Sequence, residues 1–207
     1  MKGFIVKYLL IMILLIFSVC CKKETAADDD YLENLLKISK KAILDELKEK
    51  KYDKKVDSEI KIDSKAVFIS VINKNIDRNS QYFFSGDNYN YATEIASINA
   101  AFFDDRHGKI NESEMNDYEI EVHVIDKLEI MSDFNDYEYG ADSLYVEYNN
   151  NIKGFLLAQV TENAKFSKVS FIRALFRKYR IKENSYSEDM KLYKFRSKFM
   201  KKSMSDI

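Results

Sequence analysis

Leu144–Tyr148 (LYVEY), Asn149–Asn151 (NNN) and Ile152–Val160 (IKGFLLAQV) decide the fold. Two runs rich in β-branched and aromatic residues flank three asparagines. Asparagine tolerates the left-handed backbone that tight turns require, so the segment predicts an antiparallel hairpin. Upstream, Tyr118–Ile130 opens with strict alternation. Ile120, Val122 and Val124 point one way, and Glu119, Glu121 and His123 the other, as in a half-buried strand. Ala66–Ile72 (AVFISVI) reads as a buried strand, and Leu192–Phe199 as a further strand.

Between these runs the period changes. Tyr31–Lys51 places Leu32, Leu35, Leu36, Ala42, Ile43 and Leu47 at three- and four-residue steps, which predicts a helix with an N-cap among Asp28–Asp30. Tyr91–Phe103 and Lys168–Tyr179 carry the same helical spacing. Asn73–Asn90 is polar and rich in Asx residues and reads as loop. Helices and strands therefore alternate irregularly. The expectation is an α+β fold with a mostly antiparallel sheet and flanking helices. No repeat and no Pro- or Ser-rich linker divides the chain.

The chain has 207 residues, 46% apolar and 32% charged, so a wholly disordered protein is excluded. Lys and Arg total 33 against 34 acids, with no basic block, and the footprint of a nucleic-acid binder is missing. His107 and His123 are the only histidines and show no HxH or HxxxH spacing. No metal and no cofactor is expected. GxGxxG, GKS/T, GxSxG and HExxH are all absent.

The N-terminus supplies an address. Lys2 and Lys7 precede an apolar run from Tyr8 to Val19, broken only by Ser18. Twelve residues suit a signal peptide and fall short of the about 20 that span a bilayer. Cys20 and Cys21 follow at once and are the only cysteines. Adjacent cysteines cannot staple a core, and they form no CxxC metal pair. The pattern resembles a relaxed bacterial lipobox, with Cys20 or Cys21 carrying the lipid. The alternatives are an uncleaved anchor flanked by Lys22 and Lys23, or simple secretion. Residues 1–20 are then a signal peptide, 21–30 a polar tether and 31–207 the domain. Losing residues 1–20 leaves 31 basic against 34 acidic residues, too acidic to hold an anionic membrane by charge. The expected location is the outer side of a bacterial inner membrane, or an outer membrane, with the lipid as tether.

Several segments together resemble the AMMECR domain family. Asn99-Ala100-Ala101-Phe102-Phe103-Asp104-Asp105-Arg106 is similar to its Ser-Ala-Ala-Phe-x-Asp-x-Arg-Phe. Asp117–Ile125 is similar to its Ile-Glu-Val-Ser-Val-Leu strand, and Ala66–Val71 to its Ala-Phe-Val-Thr-Leu strand. Lys153–Val160 matches its Gly-x-Phe-Leu-Pro-Gln-Val, and Phe171–Ile181 follows its Phe-Leu-x-x-Leu-Cys-x-Lys-Ala-Gly-Leu helix. The resemblance implies two unequal α+β lobes with a cleft between them. It implies no established activity.

The family lines that cleft with Leu-Arg-Gly-Cys-Ile-Gly. A gapless register from Phe68 puts Asp77–Tyr82 (DRNSQY) there. Arg78 is kept, Ser80 replaces the cysteine, and both glycines are gone. Phe176 stands at a second family cysteine, and Ala158 replaces the proline. A serine hydroxyl without a base is a poor nucleophile at neutral pH, so the expectation leans away from an enzyme and names no catalytic residue. Candidate ligand-binding residues are Arg78, Ser80, Asp105, Arg106, Glu121 and Gln159. They would take a small anion through the guanidiniums. Two other readings stand beside this one. One is an enzyme with Asp105 or Glu121 as acid–base and Ser80 as hydroxyl. The other is a surface whose tyrosines and phenylalanines contact a protein partner.

Overall fold

A computed structural model describes residues 24–56, 65–76, 78–104, 106–125, 127–149, 152–163, 166–182 and 189–207. Cys20, Cys21 and Asp105 lie outside the described residues, as do the side chains of residues 24–28, 78, 162 and 163. No helix among the described residues is long and apolar enough to cross a membrane.

The chain runs α1 (Glu24–Glu49), β1 (Lys65–Asn73), β2 (Arg78–Gly86), α2 (Tyr89–Phe102), β3 (Glu119–Ile125), β4 (Glu129–Ile130), β5 (Ser143–Tyr148), β6 (Ile152–Leu156), α3 (Val160–Asn163), α4 (Lys168–Lys178), β7 (Met190–Phe195) and β8 (Ser197–Ser203). The strands form two four-stranded sheets, in the orders β2-β1-β3-β8 and β4-β7-β5-β6. Every described pairing is antiparallel, and the fold is α+β.

Alternation along each strand builds the layers. In the first sheet Val67, Ile69, Val71, Ile120 and Val122 join Leu35, Leu36, Ile43, Ile95 and Ala96 of α1 and α2 in one core. In the second sheet Leu144, Val146, Leu156 and Leu192 pack on Phe171, Ile172, Leu175 and Phe176 of α4. The opposite faces of the two sheets meet each other. Ala66, Phe68 and Ile125 pack against Tyr145, Leu157, Tyr193 and Phe195 in a third core. Phe68 lies edge-on to Phe155 at 4.4 Å, and Phe83 stacks on Tyr145 at 5.7 Å between ring centroids. The molecule is thus layered helix, sheet, sheet, helix, and its two lobes share a filled apolar seam.

Local chemistry sets the ends. Asn88 caps α2 by accepting from the Tyr91 amide, and Ser167 and Ser170 form a capping box on α4. Asn149 turns the β5–β6 hairpin with φ 51°, as the asparagine run predicts. Five expectations need correction. The strand expected over 152–160 ends at Leu156, and Val160 opens α3. α1 starts at Glu24, so Asp28–Asp30 lie within the helix and do not cap it. Residues 73–90, read as loop, contain β2. The single strand expected over 118–130 breaks after Ile125, and the chain changes sheet there. The strand expected over 192–199 is likewise two strands in different sheets, divided at Arg196.

Candidate functional site

β2 is an edge strand, and an edge strand has backbone donors that no neighbouring strand takes up. One of these is used. The amide of Gln81 donates to Oδ2 of Asp104 at 2.9 Å, tying β2 to the loop that follows α2. The same carboxylate accepts the Arg106 amide and Nε at 3.0 Å on Oδ1, and Arg106 Nη2 at 2.6 Å on Oδ2. The Asp104 side chain is only 6% exposed. Its burial alone would raise its pKa. The guanidinium and backbone bonds more than offset that and hold the carboxyl at about 2.

Arg106 also faces the other lobe. Lys178, at the end of α4, reaches the Phe155 carbonyl at 3.3 Å, and its Nζ sits 4.7 Å from the Phe155 ring centroid. Tyr179 bonds the same carbonyl through its hydroxyl at 3.4 Å. Crowding by protein, then the charge of Arg106, lowers the Lys178 ammonium to about 8, although the side chain stays open to solvent on one side. Burial raises the Tyr179 phenol. Lys178 and Tyr179 were not among the candidates from sequence. The signal was present: Lys178 falls on the lysine of the family helix motif, one residue before the chain leaves α4.

The sequence candidates do not gather in one pocket. Arg78 pairs with Asn73 at the start of β2. Ser80 is fully buried and pairs with Val71, so it faces the α1–α2 core. Glu121 lies on the opposite face of that sheet, in the register of Ser70 and in phase with His123. Arg106 is about half exposed and committed to Asp104. Gln159 follows the β6 strand, and its Oε1 is buried with no hydrogen-bond partner among the described residues. Of the charged groups around the seam, Asp104 and Arg106 lie within electrostatic range of Lys178 and Tyr179 from the other lobe.

A groove of about 440 Å³ lies elsewhere, between α1 and α2. Its walls include Asp45, Glu46, Glu49 and Glu94 with Lys41 and Lys51. Lys41 pairs with Asp45, and Lys51 with Glu94. Glu46 accepts the Tyr52 amide on both oxygens at 3.2 Å. Among the described residues no cluster of His, Cys, Asp and Glu has the arrangement of a metal site.

Comparison with known proteins places this architecture. The crystal structure of an uncharacterized protein from Pyrococcus horikoshii superposes with a TM-score of 0.67, at 23% identity. The match covers 84% of this chain and 92% of that one, and it shows a shared fold. No curated protein matches. The AMMECR1 family model matches residues 36–200, which span both lobes, both sheets and the Asp104–Lys178 site. The chain belongs to the AMMECR1 family.

Proposed function

We propose that this protein is a membrane-tethered AMMECR1 module that binds a small anionic ligand where Arg106 and Lys178 meet. One observation carries the reading: two cations from different lobes stand near a single carboxylate, Asp104. Among the described residues the site therefore holds two cations against one carboxylate, crowded by Phe155 and Tyr179. A carboxylate or phosphate would balance it. Arg106 bonds Asp104 through Nε and Nη2, which leaves Nη1 to donate to a ligand, and Lys178 adds a point charge. The lipobox-like leader supports the tether, with Cys20 or Cys21 lipidated and the domain held on the outer side of a bacterial membrane.

An enzyme built on Ser80 has less support. Ser80 and Glu121 lie on opposite faces of one sheet, so they cannot act on one substrate atom.

The test is a thermal-shift series with phosphate, sulfate and small carboxylates on the wild type, Lys178→Met and Arg78→Ala. Saturation at a hundred times Kd stabilises a protein by about 2.7 kcal/mol, a rise of several degrees. The expected result is such a rise in the wild type and its loss in Lys178→Met. Arg78→Ala reports whether that guanidinium takes part. Equal shifts in wild type and Lys178→Met sink the site.

A further inference from the structure

His123 is fully buried in β3, its ring stacked on Phe199 at 5.0 Å and tilted against Phe68 at 5.4 Å. Both ring nitrogens are engaged. Nε2 lies 2.6 Å from Oε1 of Glu121, and Nδ1 lies 3.0 Å from Oγ of Ser197. An ionised carboxylate only accepts, so Nε2 carries the proton when the imidazole is neutral. Nδ1 is then a lone pair, and the Ser197 hydroxyl must donate to it. That order of hydroxyl, imidazole and carboxylate is the arrangement of a base-activated serine.

The position of Ser197 suits a reacting group. It opens β8, immediately after Arg196, where the chain crosses between sheets, and it is partly exposed. Phe199, 47% exposed, offers an apolar wall on the same face of that strand. Glu121 is partly exposed at the far end of the relay, whereas His123 is sealed.

We propose that Ser197 is a nucleophile activated by His123, with Glu121 as a positioning residue, and that it accepts small activated carboxylic esters. The Oγ–carbonyl carbon bond forms as the Ser197 proton passes to Nδ1 of His123. The carbon–alkoxide bond then breaks, and the leaving oxygen takes that proton. Water attacks the acyl-serine and gives one proton to Nδ1. The acyl–Oγ bond breaks and that proton returns to Ser197, releasing a carboxylic acid. This goes beyond anion binding and uses residues that the Arg106–Lys178 site does not.

The test reacts the full-length protein in detergent with a fluorophosphonate probe and with p-nitrophenyl acetate. The probe's phosphorus bonds Oγ, fluoride leaves, and His123 takes the proton. Labelling is expected at Ser197, and Ser197→Ala abolishes it. His123→Asn slows it by at least about a hundredfold, the usual contribution of a general base. Because His123 is buried, that variant is read beside Glu121→Gln, whose site is partly exposed. Glu121→Gln removes the charge that balances the positive imidazole formed at each attack, so labelling of Ser197 slows by at least about tenfold while the melting temperature holds, and Glu121→Asp, which keeps the carboxylate, recovers part of the rate. An unlabelled wild type, equal labelling of Ser197→Ala, or an unchanged labelling rate in Glu121→Gln each overturns the proposal.

Discussion

The ring of Tyr179 occupies the space that a side chain at Gly154 would need. A Cβ added at Gly154 would stand 2.4 Å from Cδ2 and Cε2 of that ring. This contact docks the end of α4 on β6 and fixes where Lys178 and Tyr179 project. Gly154→Ala should destabilise the protein by about 2–3 kcal/mol, the range for overpacking a filled site. Tyr179→Ala in the same chain should recover part of that loss, since the clash leaves with the ring. Denaturant midpoints of the two single variants and the double variant measure the coupling; strict additivity would deny the contact.

Asp104 sets a limit in acid. Its carboxyl sits at about 2 in the folded protein against 3.8 for the unperturbed group. A depressed carboxyl stabilises the fold at pH above its unfolded pKa and loses that stabilisation as pH falls toward the folded value. The shift corresponds to about 2 kcal/mol at neutral pH. The Asp104→Asn variant should be weaker by about that amount at pH 7. It should converge with the wild type as both are titrated from pH 4 to pH 2. Parallel stability curves over that window would contradict the assignment.

Lys178 should be an unusually reactive amine. At pH 8 about half of it is neutral, whereas an ordinary lysine is below about 1%. A brief pulse of acetic anhydride followed by peptide mass spectrometry should show Lys178 reacting far faster than Lys127, whose side chain is 65% exposed. The folded protein also holds this proton less tightly than the unfolded chain does. The contribution of Lys178 to stability therefore falls as pH drops through 8 and is complete only above its unfolded value. Phosphate bound beside it should raise the pKa and slow the acylation.

Palmitate should label the protein in cells, and replacing both Cys20 and Cys21 with Ser should free it from membranes. A fragment beginning at Asp28 should fold alone, because α1 buries Leu32, Leu35, Leu36 and Ile43 well after that point. Its melting temperature should ignore chelators and reductants. Wild-type protein that stays unlabelled and soluble would remove the lipid from the account.

The chain announces its architecture more readily than its site. The asparagine run at 149–151 and the Glu119–Ile125 alternation lead to the β5–β6 hairpin and β3, because turn chemistry is local and Glu119 and Glu121 mark the second face of β3, although His123 and Tyr145 are buried on the faces where the sheets meet. β2 hides for a physical reason. Its core face is Ser80, Tyr82 and Phe84 and its other face is Gln81, Phe83 and Ser85, so apolar and polar residues do not sort by side. Both faces are covered, one by helices and one by the second lobe, and alternation disappears. The breaks after Ile125 and at Arg196 hide because both flanking segments stay extended; only the sheet they join changes. The site is harder still. Glu121 and His123 are two residues apart and visibly in phase, but Ser197 joins them only through β3–β8 pairing, 74 residues away. Lys178 meets Arg106 only because α4 docks against Gly154.

The crossings between sheets have a mechanical consequence. The lobes are joined between Ile125 and Glu129 and again by the lone residue Arg196, whose guanidinium is anchored on Asp142 at 2.8 Å and on Glu138 at 2.5 Å. Parting the lobes would expose the apolar seam of Ala66, Phe68, Ile125, Tyr145, Tyr193 and Phe195 to water, at a cost that opposes a jaw-like motion. If an anion binds as proposed, the swing of single side chains such as Lys178 would admit it, so entry should be fast, residence short, and binding enthalpy free of any cost of moving one lobe against the other.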